Sequence, residues 1–166
     1  MKRIEHQVIA ADAGPMIGLA VIGALPWLRT IFGHVLVPEA VAAELRFDSE
    51  MPGAKVLAKA WTEGWLEVVP VHEIPAYLQA AVDAGEAAAI TLARQRGVPL
   101  MIDENGGRIA ARSEGVNAFG SGTVLLIAKE QRIIAEIRPH LDALTQVGYR
   151  LSMELCCELL KLAGES

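Results

Sequence analysis

Two apolar runs of this chain each end in an aspartate, immediately before a segment with helical character. Residues 7–11, Gln-Val-Ile-Ala-Ala, lead into Asp12, and residues 98–102, Val-Pro-Leu-Met-Ile, lead into Asp103. Short apolar runs followed by a turn and a helix are typical of buried parallel strands in an open α/β sheet. Ligands of such folds bind in the crevice at the carboxyl ends of the strands. We therefore expect Asp12 and Asp103 to share one site, and two carboxylates there indicate a metal ion.

Short apolar segments alternate with longer helical patterns along the rest of the chain, which predicts an α/β fold with a mainly parallel sheet. The predicted strands are 8–11, 34–37, 66–69, 100–102 and 116–119. The predicted helices are 15–22, 25–31, 38–46, 55–63, 85–96, 107–113, 121–130 and 134–147. Ser152 is expected to cap a final helix that runs to Leu162.

Length and composition fit one domain. The chain has 166 residues, of which 52% are hydrophobic and 21% are charged, so it can bury one substantial core. We expect residues 1–166 to form a single domain that includes the C-terminal helices 134–147 and 152–162. The apolar stretches are shorter than the roughly 20 residues of a membrane-spanning helix, and the N-terminus lacks a convincing leader cleavage site. A cytoplasmic protein without membrane contact is therefore expected.

The net charge of −5 argues against strong nonspecific attraction to a polyanion. Residues 90–150 are locally basic, however, with 8 Lys or Arg against 6 Asp or Glu. Arg108 and Arg112 lie four residues apart and can share a helix face near Asp103, while Lys129 and Arg132 follow the residue 121 segment. These four cations could clamp the phosphates of a nucleic acid; the alternative is an ordinary solvated surface.

Two further acids are expected near the strand-end aspartates. Glu44 lies about one and a half turns into the predicted helix 38–46, where it can point back over the strand ends. Glu86 lies in the first turn of the helix 85–96, where the helix dipole favours a carboxylate. Four acids from four segments supply the oxygen ligands that Mg²⁺ or Mn²⁺ prefers, and such an ion can hold a phosphate and activate water. The pattern therefore predicts hydrolysis of a phosphodiester.

Each acid also has an explanation that involves no chemistry. Asp12 and Asp103 could each cap the helix that follows. Glu44 could be an exposed helix residue, and Glu86 could serve only the helix dipole. The prediction of a metal site therefore depends on the joint arrangement of all four acids.

Other kinds of active site have little support in the sequence. The four histidines show no metal-binding spacing, no Gly-x-Ser-x-Gly nucleophile motif is present, and the glycine-containing turn 120–123 lacks the P-loop lysine. Cys156 and Cys157 are adjacent in a predicted helix, so their side chains diverge. We expect both to be buried small hydrophobic residues.

These segments together resemble the PIN-domain nucleases, in particular an uncharacterised PIN-like bacterial and archaeal family related to VapC-type toxins. The resemblance depends on the order and spacing of motifs over nearly the whole chain. The matching segments are 12–17 (Asp-Ala-Gly-Pro-Met-Ile), 37–45, 85–90 (Gly-Glu-Ala-Ala-Ala-Ile), 102–104 (Ile-Asp-Glu), 120–129 and 151–152.

The resemblance implies a flavodoxin-like, three-layer α/β/α sandwich and a ribonuclease that uses Mg²⁺ or Mn²⁺. The residues that match the family's acidic set are Asp12, Glu44, Glu86 and Asp103. Ser121 stands where the family usually has a threonine, so its hydroxyl could orient a metal-bound water or a carboxylate; the alternative is a helix N-cap. Gly106 and Gly107 depart from the basic, helix-forming residues expected after Asp103, which predicts that the following helix starts late.

The resemblance also implies partners. RNA is the expected substrate, and a toxin of a toxin–antitoxin pair would require a small antitoxin protein. The apolar helices at 15–31 and 153–162 could form the interface of a homodimer or bind such an inhibitor. The rival hypothesis is a non-catalytic PIN-like module that binds RNA or a protein. The acidic net charge, the two glycines and the missing threonine favour this module, whereas the presence of all four acids favours catalysis.

Overall fold

A five-stranded parallel sheet forms the centre of the fold in this computed structural model, which describes residues 4–165. The strands are β1 Ile9–Ala11, β2 Val35–Pro38, β3 Leu66–Val69, β4 Leu100–Met101 and β5 Ala118–Phe119. Their order across the sheet is β3-β2-β1-β4-β5, and every neighbouring pair is parallel. Each strand overlaps a predicted one.

Ten helices connect and cover these strands within residues 4–165. They are α1 Ala13–Val21, α2 Pro26–Phe32, α3 Glu39–Leu45, α4 Ala54–Thr62, α5 Ala76–Ala81, α6 Ala84–Arg96, α7 Asn105–Ser113, α8 Ser121–Glu130, α9 Arg138–Gln146 and α10 Met153–Leu162. In this part of the chain no single helix is long and apolar enough to cross a membrane; α1 and α2 reach the required length and hydropathy only together, with a bend of 118° between them.

Three helix predictions differ from the structure. Helix α5 was not predicted, because its six residues are too few to show a clear hydrophobic period. Helix α7 begins at Asn105, before both glycines, so the prediction of a late start is wrong. Helix α9 begins at Arg138 rather than at residue 134, because Pro139 lacks an N–H and belongs in a first turn, where that donor would have no helical partner.

The helices lie on both faces of the sheet. The connection from β1 to β2 runs one way across the sheet, and the connection from β3 to β4 runs the other way. Because such connections are right-handed, α2 lies on one face of the sheet and α6 lies on the other. Helix α6 packs on β1, β2 and β4, and its residues 85–93 are all buried. Helix α2 packs on β2 and against α8. This arrangement confirms the expected α/β/α sandwich.

Strand β1 lies between β2 and β4, which is where the direction of the crossovers reverses. Loops that leave β1 and β4 therefore diverge, and an open crevice remains at the carboxyl ends of these two strands. The backbone N–H of Asp12 donates to the carbonyl of Met101 at 2.9 Å. Because Met101 ends β4, this bond places Asp12 beside the segment that carries Asp103.

The C-terminal helices pack on α8 through a second apolar cluster. Its buried members are Leu125, Ile137, Leu141, Leu144 and Leu159. Cys156 is half-buried and Cys157 is exposed in α10, so the prediction that both cysteines are buried is wrong. The apolar side of α10 faces α8 through Leu159, and residue 157 lies on another side of the helix.

Candidate metal-binding acidic site

The four acids predicted from the sequence line one cleft at the carboxyl ends of β1 and β4. Its cavity has a volume of about 290 Å³. Its charged and aromatic lining residues are Asp12, Glu44, Asp83, Glu86, Asp103, Glu104, Tyr149 and Arg150. The cleft therefore holds six carboxyl groups, of which Asp83 and Glu104 were not predicted.

Asp12 connects β1 to α1 and is only 8% exposed. It occupies the N-cap position of α1, yet its side chain makes no capping hydrogen bond. Burial, with the charges of Asp83, Glu44 and Asp103, raises the pKa of Asp12 to about 6, although a hydrogen bond from the Ala13 backbone opposes the shift. Ionising Asp12 therefore costs more free energy here than in water, and a bound cation would lower that cost.

Glu86, in the first turn of α6, is also 8% exposed. Asp83 caps this helix, because its carboxylate accepts the backbone N–H of Glu86 at 2.8 Å. Burial, with the hydrogen bond and the charge of Asp83, raises the pKa of Glu86 to about 8. Sequence reasoning missed Asp83, although Asp-Ala-Gly-Glu at 83–86 has the spacing of a capping box.

Glu44 approaches the cleft from the last turn of α3. The residue is exposed overall, but its carboxylate lies directly against Gly85, where a side-chain Cβ would have no room. Burial of the carboxyl group raises the pKa of Glu44, and the charge of Asp83 raises it as well. Glu44 is thus an acid of the cleft rather than an isolated surface residue.

Asp103 uses both of its carboxylate oxygens in hydrogen bonds. Oδ1 accepts the backbone N–H of Ser121 at 2.8 Å, and Oδ2 accepts the hydroxyl of Tyr149. The N-cap of the helix that follows Asp103 is instead Glu104. Asp103 therefore accepts the first N–H of α8, the helix that follows the neighbouring strand β5. The alternative explanation, that Asp103 caps α7, is wrong.

Ser121 is the first residue of α8 and is 1% exposed. Its N-cap is Gly120, so the explanation of Ser121 as an N-cap is wrong. Within the described part of the chain, the Ser121 Oγ is buried and makes no hydrogen bond of acceptable geometry. A buried hydroxyl without such a bond is uncommon, and the Ser121 side chain lies beside the hydroxyl of Tyr149, a residue that lines the cleft.

Three glycines give the carboxylates room. The pairs are Gly85 with Glu44, Gly107 with Glu86, and Gly120 with Asp103. A Cβ on Gly107 would lie 3.0 Å from Glu86 Oε2, and a Cβ on Gly120 would lie 2.5 Å from Asp103 Oδ1. Gly107 departs from the expected sequence pattern, but it has a packing reason at the site.

Tyr149 is the main residue of the cleft that sequence reasoning missed. It follows Gly148, whose φ of 84° lets the chain turn in after α9. Its ring lies against α1, where a Cβ on Gly18 would be 2.9 Å from Tyr149 Cε2. Burial raises the pKa of the Tyr149 hydroxyl far above its ordinary value, and Asp103 adds to the shift, so the hydroxyl remains a donor. The sequence signal for this contact is limited to Gly14 and Gly18, which lie four residues apart in α1 and leave room for a bulky side chain such as that of Tyr149.

The predicted cations are distributed unevenly around the cleft. Arg108 is half-buried, and its Nη1 lies 3.4 Å from the position of a Cβ on Gly120, next to Asp103. Lys129 is already bound, because its Nζ donates to the Ala163 carbonyl at 2.6 Å and to Glu165 at 2.9 Å. Arg112 and Arg132 are exposed surface residues outside the cleft lining. Arg150, which was not predicted, lines the cleft directly.

The donor chemistry of the cleft fits a hard divalent cation. Apart from Tyr149, its titratable acids are all carboxylates, and neither histidine nor cysteine is among the lining residues. Within residues 4–165, no three His, Cys, Asp or Glu side chains are already arranged as the ligands of a metal ion. The residues therefore fit such a cation by the kind and number of their oxygen donors. The Ser121 Oγ, which makes no hydrogen bond, is a further buried oxygen near them.

The comparison with known proteins places this fold and cleft in a family. A family model for the PIN domain, DUF3368, matches residues 8–165. Similar solved structures include a PilT N-terminus domain protein from the hyperthermophilic archaeon Sulfolobus solfataricus P2, at 13% identity over 70% of this chain and 89% of that chain, with a TM-score of 0.48. Another is a domain of a functionally unknown protein from Methanocaldococcus jannaschii DSM 2661, at 19% identity over 69% and 90% of the two chains, with a TM-score of 0.47. No curated protein matches the chain. Because the family model spans nearly all 166 residues, the chain belongs to the PIN-domain family, whose fold is of the nuclease type.

Proposed function

We propose that this protein is a phosphodiesterase that depends on Mg²⁺ or Mn²⁺ and cleaves RNA. The observation that carries the proposal is the convergence of Asp12, Glu44, Glu86 and Asp103, from four separate segments, on one cleft. Buried like charges cost free energy unless a cation compensates them. The raised pKa values of Asp12 and Glu86 support the proposal, because they indicate such a cost in this cleft.

The same four acids would hold the metal. A divalent cation held there would neutralise their charge and would supply the Lewis acidity that phosphodiester hydrolysis by water needs. At neutral pH, Glu86, with a pKa of about 8, must first lose its proton, because only an ionised carboxylate is a ligand. The Tyr149 hydroxyl and the Ser121 N–H fix the orientation of Asp103. The Ser121 hydroxyl, which lies beside that of Tyr149, would help to orient a carboxylate or a water in the cleft.

RNA is proposed as the substrate class. Arg150 lines the cleft and Arg108 lies beside Asp103, so two guanidinium groups can bind phosphates near the reacting one. The acids hold the metal in the same cleft, which reduces the repulsion that the net charge of −5 would otherwise exert on a polyanion.

A toxin role with an antitoxin partner, in a homodimer, remains part of this proposal. Helices α1 and α2 bury most of their apolar side chains in the core, including Met16, Leu19 and Leu28. Helix α10 exposes Met153 and Leu162 at its two ends. The proposed interface for a second copy or an inhibitor is therefore α10 rather than α1 and α2.

Cleavage of labelled RNAs with Mg²⁺, with Mn²⁺ and with EDTA tests the proposal. The variants are Asp12→Asn, Asp103→Asn and, as a matched control, Asp48→Asn in the exposed loop after α3. We expect metal-dependent cleavage by the wild type and the control, and a loss of at least about 100-fold in the two cleft variants, because each loses a ligand charge. Equal cleavage by all four proteins would identify a contaminating nuclease and would contradict the proposal.

A non-catalytic module that binds RNA or a protein is the second candidate. It is favoured by Asp103, whose two oxygens already accept hydrogen bonds from Ser121 and Tyr149. The melting temperature with Mn²⁺ separates the candidates, because a ligand that binds only the folded state must raise it. A shift that depends on Asp12 supports the metal site, whereas RNA binding with neither a shift nor cleavage supports the module.

A further inference from the structure

A second and larger cavity, of about 540 Å³, opens beside the acidic cleft. Glu44 and Tyr149 line both cavities, so these two residues lie at the boundary between them. The other walls come from α1, from the loop between α3 and α4 and from the segment before Tyr149. The apolar lining residues include Ile17, Val21, Leu45, Met51 and Val147.

The chemistry of this cavity is mostly apolar, with charge at its edges. Met51 is 57% exposed and Val147 is 51% exposed, so apolar side chains face solvent at the opening. Arg46 lies at the end of α3 with a φ of 50°, a left-handed conformation that few non-glycine residues adopt. Ser49 holds this turn, because its N–H and hydroxyl both donate to the Arg46 carbonyl. No hydrogen bond or ion pair involves the Arg46 guanidinium within residues 4–165, so it is available to a ligand.

We infer that this cavity binds one unstacked nucleobase of a single-stranded substrate, next to the phosphate at the acidic cleft. The inference rests on the proposed function and adds a site for the base to it. Cavities of this size accommodate ligands as large as a nucleobase, and apolar or aromatic walls are the surfaces on which unpaired bases stack.

Continuity with the acidic cleft favours a nucleotide as the occupant. A base and the phosphate attached to its sugar are neighbours in a strand, and the two cavities share the walls formed by Glu44 and Tyr149. Arg46 at one cavity and Arg150 at the other place guanidinium groups along the same path. Because the chain has a net charge of −5, electrostatic attraction to the phosphate backbone is weak. Stacking contacts with a base would supply additional affinity for the strand.

Binding of free nucleosides to the metal-free protein tests the cavity without requiring catalysis. The probes are adenosine, guanosine, cytidine and uridine, with ribose as the control that lacks a base. The readout is the NMR signal of methyl-labelled methionine, since Met51 lines the cavity and Met153 lies exposed on α10. We expect at least one nucleoside to shift the Met51 methyl signal, while ribose shifts neither signal and Met153 does not move.

A matched pair of variants extends the test to RNA. Met51→Glu places a carboxylate in the cavity, and Val56→Glu introduces the same carboxylate at an exposed apolar position outside both cavities. We expect Met51→Glu to lose nucleoside binding and to lower kcat/KM for RNA by about 5- to 100-fold, as for loss of one stacked base. Its melting temperature shift with Mn²⁺ should match that of the wild type, and Val56→Glu should behave as the wild type in every measurement.

The outcomes separate this inference from the proposed function. Suppose that Met51→Glu cleaves RNA as fast as the wild type and that no nucleoside shifts the Met51 signal. This result would overturn the base site and leave the nuclease proposal intact. A nucleoside shift at Met51 in a protein that neither binds Mn²⁺ nor cleaves RNA would support the base site and refute the nuclease. If only an apolar peptide, and no nucleoside, shifts the Met51 signal, the cavity is a protein-docking site and the inference is wrong.

Discussion

Asp12 and Glu86 are nearly buried, and each faces other carboxyl groups across the cleft. Burial raises the pKa of Asp12 to about 6 and that of Glu86 to about 8. In the unfolded chain both groups return to ordinary values near 3.8 and 4.5. Ionising them therefore costs free energy in the folded state that it does not cost in the unfolded state, and a bound cation removes that cost.

The metal-free protein is expected to lose stability as pH rises from about 4.5 to about 8. Across this window the folded state binds more protons than the unfolded state, so the free energy of unfolding falls with pH. Urea denaturation in EDTA at a series of pH values measures the slope. Glu86→Gln removes the main titrating group and should flatten the slope above about pH 6. If the free energy of unfolding in EDTA instead increases with pH, then ionisation of Asp12 and Glu86 does not destabilise the folded protein.

Tyr149→Phe removes the hydroxyl that donates to Asp103 and leaves the ring against Gly18. We expect a loss of about 1–2 kcal/mol of stability and a drop of about 10-fold or more in Mn²⁺ affinity, because Asp103 loses its orienting partner. The matched control is Tyr77→Phe, whose hydroxyl donates to Glu114 on the surface. Titration of the melting temperature with Mn²⁺ measures both effects. Tighter Mn²⁺ binding by Tyr149→Phe would mean that the hydroxyl competes with the ion.

Among the elements, α7 shows how the site shapes a helix. The helix starts at Asn105 and includes two adjacent glycines with different surroundings. A Cβ on Gly106 would meet nothing within 4 Å, whereas a Cβ on Gly107 would lie 2.5 Å from Ile102 Cδ1 and 3.0 Å from Glu86 Oε2. Gly107 therefore lets α7 pack closely against the strand end and the cleft, at some cost in intrinsic helix stability.

The two glycines provide a comparison within one helix turn. Gly106→Ala should raise stability, by up to about 1 kcal/mol, because alanine favours the helix and the space is open. Gly107→Ala should lower stability by about 1–3 kcal/mol and weaken Mn²⁺ binding, because its methyl group displaces Glu86 or Ile102. Denaturation midpoints and Mn²⁺ titration measure the two variants. If both alanines stabilise the protein equally, α7 does not support the cleft as described.

At the scale of the whole molecule, hydrogen bonds of the Glu165 carboxylate connect the segment after α10 to α8 and α9. Its carboxylate accepts the Lys129 Nζ at 2.9 Å, the Ile137 N–H at 2.9 Å and the Arg138 N–H at 3.1 Å. These bonds join the end of α10 to α8 and to the start of α9. The segment that carries Tyr149 connects α9 to α10, so the same bonds help to hold Tyr149 over the cleft.

Glu165→Gln removes the charge that these donors share. We expect the free energy of unfolding to fall by about 1–2 kcal/mol, since hydrogen bonds to an ionised group are the stronger kind. Hydrogen exchange should become faster in α9 and α10 before it does in β1. Glu158→Gln, on the exposed side of α10, is the matched control and should change neither quantity. Unaltered exchange in Glu165→Gln would show that the apolar cluster alone holds these helices.

The sequence by itself determined the sheet, most of the helices and the acids at the strand ends. The apolar runs of β1 and β4 and the helical periods between them are local patterns, and the parallel topology that follows brings Asp12 and Asp103 to one edge. Glu44 and Glu86 were predicted for the same reason, because their positions in α3 and α6 follow from helix geometry.

Only the tertiary structure decided how the cleft is built around those acids. Tyr149 and Asp103 are 46 residues apart, and Lys129 and Glu165 are 36 apart. The packing of Glu86 on Gly107 likewise joins two different helices. No local pattern contains these contacts, because they depend on how helices of separate segments pack on the sheet. Backbone propensity and hydrophobic period act over a few residues, whereas the orientation of each carboxylate is set by neighbours that arrive from distant parts of the chain.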